Sequence, residues 1–299
     1  MACRHEKYEV VMESGIIKLY YCQTCSLIFS VKEKNSSGNK VYENYYSQEK
    51  SSRFRFGVEY IVKFFRYLRA WKISSLNPEA ESILDIGSGR GWTLYFLKKY
   101  FGYKTAVGTQ ISENAYKFSK EKLHLEIYNQ DLLDINFNRS FDIITLWHVL
   151  EHIPDPEAYI QKIHGLLGDR GQLLIEVPNF NSWSRKLTKK YWLALDPEHH
   201  LTFFTPVSFA KLLKKYNFRI KNISTFSLEY STFTSVQSII NLITDSDSYF
   251  FEQLQKGTFS LKMILHLLSF IVSFPVCFLI NLALYFSKSG EVVNIIVEK

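Results

Sequence analysis

Residues 84–91, "LDIGSGRG", decide how the chain folds. The apolar run "SIL" (82–84) leads into them and "WTLYFLKKYFG" (92–102) follows, so a glycine-rich turn joins a strand to a helix. Such a turn lets a ligand approach the backbone and offers unpaired N–H groups at a helix N-terminus. The glycines, Gly87, Gly89 and Gly91, are spaced G-x-G-x-G. A dinucleotide fingerprint needs its third glycine at position 92, which is Trp92. Asp85 lies two residues before Gly87, where its carboxylate suits a cationic ligand better than a pyrophosphate.

Outward from this turn, strand-like runs alternate with amphipathic segments. "SILDIG", "KTAVGT", "LEIYNQ", "FDIITLW" and "QLLIEVP" read as strands, with helices over 91–101, 112–123 and 155–167. This alternation predicts an α/β fold built of parallel βαβ units with both faces of the sheet covered. A helix over 206–216, the strand "FRIKNISTFS" (218–227) and the terminal strand "EVVNIIVEK" (291–299) follow. With 299 residues and 46% hydrophobic content, the chain can bury a large core, which excludes general disorder. Five regions are expected: a Cys/His segment (1–31), a linker with a basic helix (32–80), the α/β core (81–230), an apolar insertion (231–289) and a closing strand (290–299). In the basic helix, Ile61, Phe64, Phe65, Leu68 and Trp71 recur at helical spacing, with Lys63, Arg66 and Arg69 between them.

The ordered motifs from about 82 to 230 resemble class I S-adenosylmethionine-dependent methyltransferases of the quinone-biosynthesis-like branch. Besides "LDIGSGRG", the resemblance rests on "NQDLLDI", "FDIITLWHVLEHIPDPEAYIQKIHGLLGDRGQLLIEVPN" and "LDPEHHLTFFTPVSFAKLLKKYNF". It implies a Rossmann-like seven-stranded sheet with the last strand antiparallel, and S-adenosyl-L-methionine as cofactor. Asp85, Gly87, Gly89 and Gly91 would cradle the cofactor. Asp131 would face the adenine amine, Leu132 would flank the ring, and Trp147 would shape the pocket with Asn179. The second strand should end in an acidic residue that holds the ribose hydroxyls; here Gln110 stands there, and its contact lacks charge assistance. A non-catalytic scaffold with a degenerate fold is the alternative that Gln110 keeps open.

Methyl transfer from a sulfonium needs alignment, exclusion of water and, for a hydroxyl acceptor, a base. His152 and His200 are the candidate bases, with His148 and His199 beside them. No N/D-P-P-Y/F-type motif that would flank a flipped base is present, so nucleic acid is not the expected partner. Of four cysteines, three lie in the first 25 residues; Cys22-x-x-Cys25 has zinc-knuckle spacing, and Cys3 with His5 could complete a structural Zn2+ site, the alternative being a relic ribbon held by packing of Tyr20, Tyr21, Leu27 and Phe29. A similar zinc ribbon begins related methyltransferases, although Glu6 stands here where its second cysteine belongs. The N-terminus lacks an apolar signal region, so a cytoplasmic protein is expected.

"ILHLLSFIVSFPVCFLINLALYF" (264–286) carries no charged side chain and is long enough to cross a bilayer. It nevertheless precedes a strand expected to pair beside "FRIKNISTFS", so both of its ends must lie on one side of any membrane. Pro275 is expected to break it into two short arms, forming a shallow hairpin or helices lying in the interface on the inner membrane face; the basic helix either adds attraction to anionic head groups or packs with a solvated basic edge. The acceptor is then expected to be lipid-linked, saccharide-bearing or quinone-like. A buried helix pair packed on the core is the soluble alternative.

Overall fold

The computed structural model describes residues 6–14, 17–30, 58–196, 199–245 and 261–299. A seven-stranded sheet is its centre: β4 (Ser82–Ile86), β5 (Thr105–Thr109), β6 (Glu126–Tyr128), β7 (Phe141–Trp147), β8 (Leu167–Pro178), β10 (Arg219–Ser224) and β11 (Val292–Glu298). Their order is β10-β11-β8-β7-β4-β5-β6. β4 through β8 run parallel, and β11 enters antiparallel between β8 and β10. The closing strand is therefore where the sequence puts it. Ile83, Leu84, Ile144, Leu173, Ile175, Val293 and Ile295 are fully buried, as strands covered on both faces require.

Helices α2 (Trp92–Tyr100), α3 (Glu113–Leu123), α4 (Pro156–Leu166) and, after the short α5 (Trp183–Thr188), α6 (Pro206–Lys215) follow; α2, α3, α4 and α6 fall within a residue or two of the expected spans. Each of the last three starts on a side-chain cap, Ser112, Asp155 or Thr205, which satisfies an orphan helix N–H. β8 starts at Leu167 rather than near Gln172, because Leu167 already pairs with Phe141 before the register shifts between Phe141 and Ile143.

The N-terminal segment is an antiparallel ribbon, β1 (Tyr8–Ser14), β2 (Ile17–Cys22) and β3 (Ile28–Ser30), and β3 pairs with the short β9 (Thr202–Phe203) of the core. Cys22 and Cys25 occupy the β2–β3 turn, which closes through Ser26 N–H to the Cys22 carbonyl at 2.8 Å. Cys3 and His5 lie outside the described residues, as does the linker at 32–40.

Two expectations are corrected. Helix α1 (Val58–Leu76) presents Ile61, Phe64 and Trp71 to the outside, each more than half exposed, and turns its basic side inward. Arg66 and Arg69 pair with Glu229, and Lys72 Nζ donates to Asn294 at 3.1 Å. The two arginines answer a half-buried carboxylate and Lys72 a buried amide, so these cations are not displayed to head groups. The apolar stretch is not broken at Pro275: helix α8 (Leu261–Ala283) runs through it. It packs on α7 (Ser231–Thr244), through Phe270 before the proline and Cys277 after it, which supports the axis across the missing hydrogen bond.

Candidate active site

The glycine turn has the backbone the sequence asks for. Gly87, Gly89 and Gly91 have φ of +70°, +55° and +74°, a region that favours glycine. A Cβ on Gly87 would meet Val149 Cγ2 at 2.4 Å, whereas one on Gly89 would meet nothing within 4 Å. The turn thus presses on the loop after β7 at one end and opens at its middle, as a cradle for a ligand should.

Beneath the turn, Asp85 is 3% exposed and accepts from Thr145 Oγ1 at 2.6 Å. Burial raises its pKa to about 6, although Thr145, Arg69 and Arg66 act to lower it. Its charge is therefore held at a cost that a cationic ligand would relieve. Trp147, at the end of β7, stacks under the Arg69 guanidinium at 4.0 Å and has a buried indole N–H without a partner. Across the turn, Gln110 is 3% exposed, and its side-chain oxygen accepts the Ser112 N–H at 2.9 Å, which leaves its amide NH2 as the donor for a diol. Asp131 caps the following turn, accepting from Leu133 N–H at 2.9 Å and from the Tyr159 hydroxyl. Leu132 lies in the central core at 1% exposure rather than at an open wall.

The loop after β7 gathers titratable side chains. His148 takes the left-handed φ of +54°, uncommon for a residue with a side chain. Its ring bridges Glu151 and Glu176, each 3.3 Å away. Burial opposes its charge, but the bonds to these two carboxylates outweigh that and raise its pKa well above 6.5. Glu176 is correspondingly lowered to about 2, against the upward push of burial, by His148 and by Arg69 and Lys72. His148 is thus a held imidazolium, unsuited to accept a proton.

His152 and His200, 48 residues apart in the sequence, are brought together by Leu201 N–H bonding to the Glu151 carbonyl at 2.8 Å. Their ring centroids are 4.7 Å apart. His152 Nδ1 faces the His199 carbonyl at 3.1 Å and His200 Nδ1 the Ala194 carbonyl at 2.9 Å. A carbonyl only accepts, so both Nδ1 atoms carry a proton. Burial, then the neighbouring His152, pushes His200 down to about 4, so it stays neutral. Glu151, 1% exposed, completes a trio whose ligand atoms lie within 4.8 Å of one another. The trio can share a proton and is also compact enough for a divalent cation. Among the described residues it is the grouping of this kind; Cys22 and Cys25 are not part of one.

The N-terminal ribbon buttresses this site. Ser30 Oγ donates to the His200 carbonyl and Ser30 N–H to that of Leu201, both at 3.0 Å. Asn179, at the end of β8, donates from its side chain to the Gly290 carbonyl at 2.7 Å and closes the far edge. The sequence reading passed over Glu151, Glu176 and Glu229. A glutamate inside "QLLIEVP", a run otherwise built for burial, was the available signal for one of them.

The seven-stranded sheet with an antiparallel last strand and a glycine cradle at β4 is the fold of class I S-adenosylmethionine-dependent methyltransferases. Residues 56–223, more than half the chain, match the Methyltransferase domain family (Methyltransf_23), and the chain belongs to it. A ubiquinone biosynthesis O-methyltransferase of Coxiella burnetii is 29% identical over 112 residues, 36% of this chain and 47% of that one. The chain therefore matches about half the length of such curated relatives. A SAM-dependent methyltransferase from Archaeoglobus fulgidus superposes with a TM-score of 0.50 at 20% identity, over 87% of this chain and 99% of that one. An O-methyltransferase of a Brevibacillus brevis trans-AT PKS multienzyme, in complex with S-adenosyl-L-homocysteine, gives 0.51 at 14% identity, over 91% and 82%.

Proposed function

We propose that this chain moves the methyl group of S-adenosylmethionine to a hydroxyl of an amphiphilic acceptor, quinone-like or lipid- or saccharide-linked, at the cytoplasmic face of a membrane. The observation that carries the reading is the Glu151–His152–His200 trio, two members of which sit on the loop whose Val149 touches the glycine cradle. The name of the Coxiella relative supports an oxygen acceptor and a quinone-like ring. Asp85 would answer the positive charge of the cofactor, and the open face of Gly89 would admit its backbone contacts.

In this reading His152, the less buried of the two histidines, takes the hydroxyl proton on Nε2 as the oxygen attacks the methyl carbon. Glu151 steadies the imidazolium that forms, and neutral His200 orients its partner. A divalent cation on the same trio would activate the hydroxyl by a different route. Gln110 motivates a second reading, a membrane scaffold without catalysis, since its oxygen is spent on Ser112.

Calorimetry with S-adenosylhomocysteine separates the two readings, because the scaffold predicts no binding at millimolar ligand. With a catechol acceptor, His152→Ala and His200→Ala should each lower turnover by about 100-fold with cofactor affinity unchanged. Turnover at the wild-type level in both variants would end the base assignment. Loss of activity on chelation would replace the base with the cation.

A further inference from the structure

Helix α8 has its polarity reversed for a helix in water. Its buried side includes His266, Cys277 and Asn281, while Leu265, Leu268, Ile271, Val272, Val276 and Leu279 are each more than half exposed. The inward side meets small hydroxyl residues of α7. Asn281 donates to Ser235 Oγ at 2.7 Å and accepts from the Trp183 indole at 3.2 Å. Small residues and polar bonds inside with aliphatic side chains outside make up the pattern of helices packed in hydrocarbon. In water the same segment would bury its leucines and expose its asparagine.

The ends of the stretch are built for an interface. From Met263 to Ser287 there is no charged side chain, and lysines stand at both limits, Lys262 and Lys288. Beyond the helix, Tyr285 and Phe286 are 40% and 86% exposed, next to the exposed Lys288. Aromatic rings and a cation at the end of an apolar helix suit the head-group layer, and paired positive ends complement anionic lipid.

The mode of contact follows from what holds the helix. α8, roughly 34 Å long at 1.5 Å per residue, packs along α7, and α7 is itself fastened to the core. Leu193 N–H donates to Ser238 Oγ at 2.9 Å, and Asn241 Nδ2 to the Tyr191 carbonyl at 3.3 Å. Both ends of the insertion return to one sheet, through β10 and β11. The helix cannot leave the body to cross a bilayer; it can only lie down on one.

We propose that the outer face of α8 seats in the head-group and acyl boundary of an anionic bilayer, with the helix axis in the membrane plane. This deepens the acceptor reading above, on which it rests for its purpose. Lys288 and Gly290, just past the helix, are held by Asn179 at the edge of the catalytic sheet, so the anchored end adjoins the site. An amphiphilic acceptor would then enter from the lipid side.

The test is flotation of the full chain with vesicles of phosphatidylcholine plus phosphatidylglycerol, and of phosphatidylcholine alone. The wild type should float with the anionic vesicles. The triple variant Ile271→Glu, Val272→Glu, Leu279→Glu alters only exposed positions and should lose about 100-fold in partitioning, three like charges at roughly fivefold each. Unchanged S-adenosylhomocysteine binding would show that the variant is folded. A variant that floats like wild type, or a wild type that floats with neither vesicle, overturns the proposal. So does a soluble dimer that the same substitutions dissociate, since a second copy would then cover the face. Methyl transfer to a soluble catechol without vesicles reports on the catalytic reading separately.

Discussion

Acidification from pH 7.5 to 5 should weaken S-adenosylhomocysteine binding about tenfold, and Asp85 sets that figure. Its carboxyl is buried at the foot of the glycine cradle, and its pKa in the ligand-free chain is raised to about 6. At pH 5 only about one molecule in eleven carries the charge that would meet the ligand ammonium, against nearly all at pH 7.5. The neighbouring charges hold steady over this window: Glu176 and Glu229 are lowered, and Arg66 is raised. The sign for folding is opposite. A carboxyl whose folded pKa is raised loses stability as pH climbs from its unfolded value of 3.8 to about 6, on the order of 3 kcal/mol once both states are ionised. Asp85→Asn should therefore bind the ligand weakly at every pH and melt higher than wild type at pH 7.5. Calorimetry from pH 5 to 8, with melting curves of both proteins, tests this. A flat wild-type profile, or an Asn variant that keeps the slope, would refute the reasoning.

His148→Gln should cost about 3–5 kcal/mol in urea unfolding, because it leaves Glu151 and Glu176 charged and buried without their shared cation. A loss under 1 kcal/mol would mean that the bridge is not formed. Gly87→Ala forces a side chain to φ +70° and into Val149, so it should cost about 1–3 kcal/mol and abolish cofactor binding; an unimpaired variant would place the cradle elsewhere. Ser30→Ala removes one brace from the His200 carbonyl and should lower turnover more than it lowers melting temperature; equal losses would make the ribbon a stability element only. Elemental analysis should find one zinc per chain, lost in Cys22→Ser; a metal-free wild type would leave the β2–β3 turn held by its hydrogen bonds alone.

The α/β core was legible because its strands are buried on both faces and read as continuous apolar runs, and because Gly87, Gly89 and Gly91 need a backbone other residues avoid. The facing of α1 was not legible. Its periodicity marks Ile61, Phe64 and Trp71 as an inner stripe, but the partners that turn it around, Glu229 and Asn294, lie more than 150 residues away. Pro275 misled for a related reason: one missing hydrogen bond is a local cost, and contact with α7 outweighs it. The candidate site was half legible. His152 and His200 were read from their motifs, whereas the role of His148 depends on Glu176, a residue on the neighbouring strand that no local spacing connects to it.

The most direct test supplies methyl-labelled S-adenosylmethionine to the purified chain with a membrane lipid extract and follows the label into the organic phase. Label should enter an acid- and base-stable ether in the lipid fraction and disappear in the His152→Ala, His200→Ala double variant. Label that remains on the cofactor, although the cofactor is bound, would contradict the account.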